Sequence, residues 1–188
     1  MPGKVLTDDP DSRAFVGFFG KLPGMGDFVE RGLAAEFRRN WDRWLSHHIL
    51  PRLRAGAIWP QGGLRFRLVS GGHSAAGLIL PSQDSVGRLF PFSLLTVAEG
   101  ELVQAAVEVW CDAALPLAQA ALAGQSGDPE ALWRALDDLP APEQNGQATG
   151  AMLIWAAGCR PAAETEQAAI PALLDRLLPM PAPQSDQF

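Results

Sequence analysis

The stretch LRFRLVSGGHSAAGLILPSQDSVGRLFPFSLLTV, residues 64–97, decides the fold. Its opening, residues 64–69, alternates apolar and basic side chains, with Leu64, Phe66 and Leu68 on one face and Arg65 and Arg67 on the other. A period of two marks a strand with one buried face. Gly71 and Gly72 then supply a turn, and residues 76–80 (AGLIL) give a second apolar strand. A third run, residues 89–97, follows Gly87. Pro91 is tolerable there because it falls among the strand's first residues. Three short strands on short links make an antiparallel meander.

Toward the N-terminus, residues 14–19 (AFVGFF) form a run of strand length that stops at Gly20 and Pro23. From Ala34 the period changes: Phe37, Trp41, Trp44, Leu45 and Ile49 make one helical stripe, opposite Glu36, Arg39, Asn40, Arg43, Ser46 and His47. Pro51 is expected to kink or end that helix. Toward the C-terminus, Leu102, Val103, Ala106, Val107 and Trp110 begin a helix over residues 101–123, bent or interrupted near Pro116. Asp128-Pro129-Glu130 reads as an N-cap followed by proline at the first helical position, opening a helix to about residue 139. Residues 139–150 (LPAPEQNGQATG) read as a loop, residues 151–157 (AMLIWAA) as a strand and residues 171–178 as a last helix. The order β, α, βββ, α, α, β, α predicts an α/β fold of the α+β kind. A mainly antiparallel central sheet is covered by helices in a two- or three-layer sandwich. The domain reading is a flexible leader (1–12), a single domain (13–178, with core 13–139 and a strand–helix extension 150–178) and a flexible tail (179–188).

Composition narrows the class. The chain has 188 residues, 47% apolar and 19% charged, which is a single globular domain by length and balance. Nineteen glycines and sixteen prolines imply many turns. A net charge of −6 argues against a nucleic-acid surface and against adhesion to anionic lipid. No window of about 18 uncharged apolar residues exists, so no membrane span is expected, and residues 1–13 lack the apolar core of a signal peptide. Cys111 and Cys159 form no CxxC and read as buried thiols of a reducing compartment. Of six tryptophans, Trp41, Trp44 and Trp110 fall on core stripes, and Trp59 reads as a lid over the core edge.

Little of the chain suggests catalysis. Gly72-His73-Ser74-Ala75-Ala76 departs from the Gly-x-Ser-x-Gly nucleophile elbow at its last residue and precedes a strand rather than a helix. A hairpin turn is the better reading. The alternative is a small hydrolase using Ser74 or Ser82 with His73 and Asp84. Residues 20–27 (GKLPGMGD) end in Asp27, which would repel a phosphate, where a phosphate loop needs Lys followed by Ser or Thr. Their glycines are expected to permit positive φ in a tight link between the first strand and first helix. His47, His48 and His73 are too scattered to form a metal set. The sequence implies no metal and no cofactor.

Two charged constellations remain: Lys21, Asp27, Glu30 and Arg31 around the glycine loop, and residues 82–88, SQDSVGR. Such loops either fold on themselves, through carboxylates that accept backbone N–H groups and pair with arginine, or meet a partner. If the first strand joins the meander's sheet, both loops emerge at one end. A carboxylate oxygen of Asp27 or Asp84 is then expected within about 4 Å of an Arg31 or Arg88 guanidinium nitrogen, fusing the loops into one surface. The candidate partner-binding set is Lys21, Asp27, Arg31, Ser82, Asp84 and Arg88.

Residues 17–45, GFFGKLPGMGDFVERGLAAEFRRNWDRWL, resemble the opening signature of the TagF family of type VI secretion-associated proteins. That signature is Gly-aromatic-aromatic-Gly-Lys-Leu-Pro, then Gly-Asp-Phe, Arg-x-Leu and Trp-Asp-x-Trp-Leu. Residues 64–94 resemble the family's strand meander, with GLILPS at 77–82 and GRLFP at 87–91. Gln83 and Ser85 stand where the family commonly has Val and Arg. The resemblance implies a non-enzymatic cytoplasmic accessory of a type VI secretion system, a post-translational repressor that binds a protein partner in the forkhead-associated scaffold pathway. Some relatives carry a PP2C-type phosphatase domain, whose acidic metal-binding motifs are not seen in this chain.

Overall fold

The computed structural model describes residues 14–70, 72–125, 128–147, 152–159 and 169–182. The expected leader and the last residues of the expected tail, 183–188, lie outside them. The elements in order are β1 (Phe15–Lys21), β2 (Phe28–Arg31), α1 (Ala35–Trp44), a π turn (Leu45–Ile49), α2 (Leu50–Arg54), β3 (Leu64–Ser70), β4 (His73–Leu80), β5 (Phe92–Ala98), β6 (Gly100–Leu102), α3 (Gln104–Leu122), α4 (Pro129–Asp137), β7 (Gln144–Gln147), β8 (Leu153–Ala156) and α5 (Ile170–Leu177).

Six strands form one antiparallel sheet in the order β2-β1-β5-β4-β3-β8, and β6 pairs with β7 in a separate ribbon. The expected meander is β3-β4-β5, and β1 joins it against β5. Alternation along the strands sends side chains to two helical layers. Phe18, Leu78, Phe92, Leu94 and Trp155 meet Val107, Trp110, Cys111 and Ala114 of α3 and Leu132 and Leu136 of α4. Phe19, Leu64, Phe66, Ile79, Leu95 and Ile154 meet Trp41, Leu45, Ile49, Leu53 and the α5 residues Leu173 and Leu174. The result is a three-layer α/β/α sandwich. At its centre a Cβ on Gly77 would lie 2.0 Å from the Leu94 carbonyl oxygen, so β4 and β5 approach this closely only because residue 77 has no side chain.

Several local expectations are corrected. Neither β2 nor the β6–β7 ribbon was expected, and residues 144–147 of the supposed loop 139–150 are strand β7. Both β2 (FVER) and β7 (QNGQ) are four residues long and largely polar or exposed, so cross-strand hydrogen bonds define them and hydrophobic pattern does not. The helix expected to kink or end at Pro51 runs on to Arg54. Leu50 donates its N–H to the Leu45 carbonyl, and this wider turn relieves the clash a proline makes with the preceding turn. Helix α3 likewise passes through Pro116 without a break, held by the buried residues on either side of it. Asp128 caps α4 as expected, its Oδ1 accepting the Glu130 N–H at 2.9 Å.

Strand β3 is buried on both faces rather than one. Helix α3 covers the basic face, where Arg65, only 4% exposed, pairs with Glu108 and Asp112. Glu108 also accepts the Trp155 indole N–H at 2.5 Å. Arg67 donates to the Leu102 carbonyl at 2.9 Å and pairs with Glu101. Among the described helices α3 alone is long and apolar enough to cross a membrane by length and composition, and one of its faces is spent on the sheet. Of the two cysteines, Cys111 is buried, which pushes its thiol up to about 12. Cys159, read as buried, is exposed, because the turn that follows β8 leaves it at the surface. Trp41 and Trp110 are core residues. Trp44 and Trp59 are half-buried against the core, each with an unpartnered indole nitrogen. At the start of the supposed tail, the Pro179 carbonyl accepts the Ile58 N–H at 2.8 Å.

Candidate partner-binding surface

The first strand ends at Lys21, and β5 beside it begins at Phe92. The β1–β2 connection and the β4–β5 connection therefore emerge at the same end of the sheet. Asp84 joins them. Its Oδ2 accepts Lys21 Nζ at 2.8 Å and Arg88 Nε at 2.6 Å, and its Oδ1 accepts the backbone N–H groups of Val86 and Arg88 at 3.1 and 2.9 Å. The carboxylate is fully covered, which by itself would raise its pKa. Hydrogen bonds from Lys21, Arg88 and Val86 outweigh that burial and hold it well below the usual carboxylate range.

Further contacts stitch loop to loop. Ser82 Oγ donates to the Lys21 carbonyl at 2.6 Å, the Ser85 N–H to the Met25 carbonyl at 2.9 Å, and Arg88 Nη2 to the Gly26 carbonyl at 2.7 Å. Lys21 Nζ also lies 5.1 Å from the centre of the Phe28 ring, which packs on Phe19 and Phe90. The expected carboxylate–guanidinium pair is present as Asp84–Arg88, but it lies within a single loop; the Lys21–Asp84 pair and the Arg88–Gly26 contact are what join the two loops into one surface.

The other expected residues behave differently. Asp27 does not reach Arg88; its Oδ1 accepts the N–H of its neighbour Phe28 at 2.8 Å. Arg31 lies at the far end of β2, opposite Phe18, where it pairs with Glu130 at 3.1 Å and stacks over Trp133. It leaves the loop cluster because residues 20–27 close a β-hairpin rather than link a strand to a helix. Of Gly20, Gly24 and Gly26, only Gly20 has positive φ (143°), where a Cβ would strike the Pro91 carbonyl at 2.2 Å. Lys21, Ser82 and Asp84 are buried and build the surface from beneath, while Asp27 and Arg88 are exposed on it. Phe28 and Val86, 43% and 72% exposed, are the residues the sequence reading missed. Their only signal was an apolar side chain at a polar loop.

The residues of the hydrolase alternative are not brought together. His73 and Ser74 begin β4, and Ser82 and Asp84 follow its other end, with roughly 23 Å of extended chain between His73 and Leu80. Ser74 is buried and accepts the Leu102 N–H at 3.4 Å. Among the described residues no group of three or more His, Cys, Asp or Glu could hold a metal ion.

The family described as TagF N-terminal domain, Type VI secretion system-associated, matches residues 17–139. The chain belongs to this family. Its match spans both loops and the sheet as far as β5, together with α1 to α4. The TagF-like chain continues past the match into β8, which extends the same sheet beside β3, and α5, which covers it. It is also similar to the crystal structure of PA0076 from Pseudomonas aeruginosa PAO1, with 26% identity, a TM-score of 0.62, and coverage of 87% of this chain and 94% of that one. Among curated proteins none matches it.

Proposed function

We propose that this TagF-like chain is a non-enzymatic cytoplasmic regulator of type VI secretion. It represses secretion after translation by binding a protein partner of the forkhead-associated scaffold pathway. The observation that carries this reading is the composite surface. A buried carboxylate, Asp84, fixes two loops from neighbouring strands and leaves Phe28, Val86, Asp27 and Arg88 facing outward. An exposed aromatic beside charged groups, on a surface held by buried contacts, is a common anchor of a protein interface. A soluble module suits the same reading, because the membrane-length helix α3 directs Glu108 and Asp112 to Arg65 of the sheet.

The test is affinity capture from the native host with the wild type, with Phe28→Ser plus Arg88→Glu, and with Arg39→Glu as a surface control. Loss of the scaffold in the double variant alone, together with derepressed secretion, supports the reading. Unchanged capture by the double variant removes these loops from the interface.

A further inference from the structure

Strand β7 carries an Asn-Gly pair, Asn145-Gly146, whereas the one other asparagine of the chain, Asn40, precedes Trp41 inside α1. The pair lies in the β6–β7 ribbon, apart from the six-stranded sheet. There Glu101 faces Asn145 and Gly100 faces Gln147, so Gly146 is the extra residue of a bulge, with no residue of β6 opposite it. Gly146 has φ 56°, and a Cβ on it would meet nothing within 4 Å. Both residues are exposed. A side-chain amide and the backbone nitrogen that follows it thus stand side by side in water, where the ladder is interrupted.

We propose that Asn145-Gly146 is a site of spontaneous covalent modification, at which water converts the asparagine to isoaspartate and aspartate. The Gly146 nitrogen gives its proton to solvent base and attacks Cγ of Asn145, closing a five-membered imide. The Cγ–Nδ2 bond breaks, and Nδ2 takes up a proton and leaves as ammonia. Water then opens one of the two imide carbonyls. One opening restores the main chain as aspartate, and the other routes the main chain through the side chain as isoaspartate. The balance is amide plus water to carboxylic acid plus ammonia, with nothing oxidised or reduced. Attack within one dipeptide replaces a two-body encounter with a local rotation, and glycine sets no side chain beside the attacking nitrogen. Asn40 is protected, because the helix engages the Trp41 N–H and the buried indole crowds that nitrogen.

The product changes the ribbon. Its new carboxylate stands opposite Glu101, which pairs with Arg67 at 3.3 Å. Like charges that face each other across a ladder repel, and isoaspartate also adds a carbon to the main chain. The ribbon leads directly into α3: the Val103 N–H donates to the Glu143 carbonyl at 2.9 Å, and Arg67 donates to the Leu102 carbonyl at 2.9 Å. Conversion therefore loosens the entry to α3 and leaves the six-stranded sheet and the Asp84-locked loops as they are. The site requires nothing from those loops, so it stands apart from the binding reading given above.

The test incubates the full chain at mildly acidic and at mildly alkaline pH, maps its peptides by mass spectrometry and detects the rearranged linkage with an isoaspartyl methyltransferase. The wild type is expected to accumulate isoaspartate at position 145 with release of ammonia, faster at the alkaline pH, where more of the attacking nitrogen is deprotonated. Asn40 stays intact. That measurement needs no variant to fold. Gly146→Ala is expected to slow conversion at least about tenfold. Asn145→Asp, which carries the charge from the outset, is expected to exchange its Val103 amide faster than the wild type, with Phe18 of the sheet unchanged. Three results would overturn the site: Asn145 still intact once the free peptide EQNGQAT has converted in the same buffer, aspartate formed without isoaspartate, or conversion of Asn40 at the same rate. Equal exchange at Val103 would overturn the loosening of the ribbon.

Discussion

Two charge clusters centred on buried groups fasten this protein, and their charges are arranged as mirror images. At the loop end of the sheet one carboxylate, Asp84, holds two cations, Lys21 and Arg88. Under α3 one guanidinium, Arg65, holds two carboxylates, Glu108 and Asp112. Every described contact of the Asp84 oxygens is satisfied, two cations and two backbone N–H groups in all. The Arg65 Nε has no partner, and Asp112 is 69% exposed. The first cluster fixes two loops and the second fastens a helix to a strand. Removing the centre of each should therefore have unequal consequences, because what is left behind differs in its access to water.

The largest effect is expected from Asp84→Ala, which strands the buried Lys21 ammonium and frees both loops. Its thermal unfolding midpoint, followed by circular dichroism, should fall further than that of Arg65→Ala. The latter leaves Glu108 and Asp112 able to regain water, at a cost of about 2 kcal/mol, which is roughly 4–8 °C for a chain of this size. A larger fall for Arg65→Ala would break the comparison.

Acid titration sharpens it. Asp84 titrates lower in the folded chain than in the unfolded one, so its contribution is fully present above the unfolded value and is lost as pH falls below about 4. Wild-type stability should decline through that window, and Asp84→Asn should decline less steeply there from a lower starting point. An unchanged slope in the variant would show that other carboxylates carry the acid sensitivity.

Near the second cluster, burial pushes the Cys111 thiol up to about 12, above its unfolded value of about 8.5. Its contribution is present below about pH 8.5 and fades as pH rises from there toward 12. At pH 8 a thiol reagent should label exposed Cys159 quickly and Cys111 only after denaturant is added. The smallest effect is expected from Arg65→Met, which keeps the packed stem, removes the buried charge and should cost less than Arg65→Ala. Equal losses would mean that the charge rather than the stem secures α3.

The two clusters also differ in how far they could be read from residues alone. Asp84 and Arg88 lie four apart in one polar loop, and Lys21 stands where a strand ends, so their convergence needed only the assumption that β1 and the meander share a sheet. Arg65 alternates with apolar neighbours as a solvent-facing residue would. Its burial depends on α3, some forty residues away, returning across that face. The partner-binding set divides in the same way. Lys21, Ser82, Asp84 and Arg88 gather at one end, and Arg31 departs because a four-residue edge strand carries it the length of the ladder.

By itself the sequence determined the antiparallel meander, the long helical stripes, the Asp128 cap and the family, because period, capping chemistry and contiguous motifs are local properties of the chain. Only the tertiary structure decided that β3 is covered on both faces, that the helical path passes Pro51 through a π turn, and that residues 28–31 and 144–147 are strands. Each of these depends on what a distant segment places against the residue, a hydrogen-bond partner or a packed helix. Hydrophobic periodicity records burial only where neighbours in sequence share it.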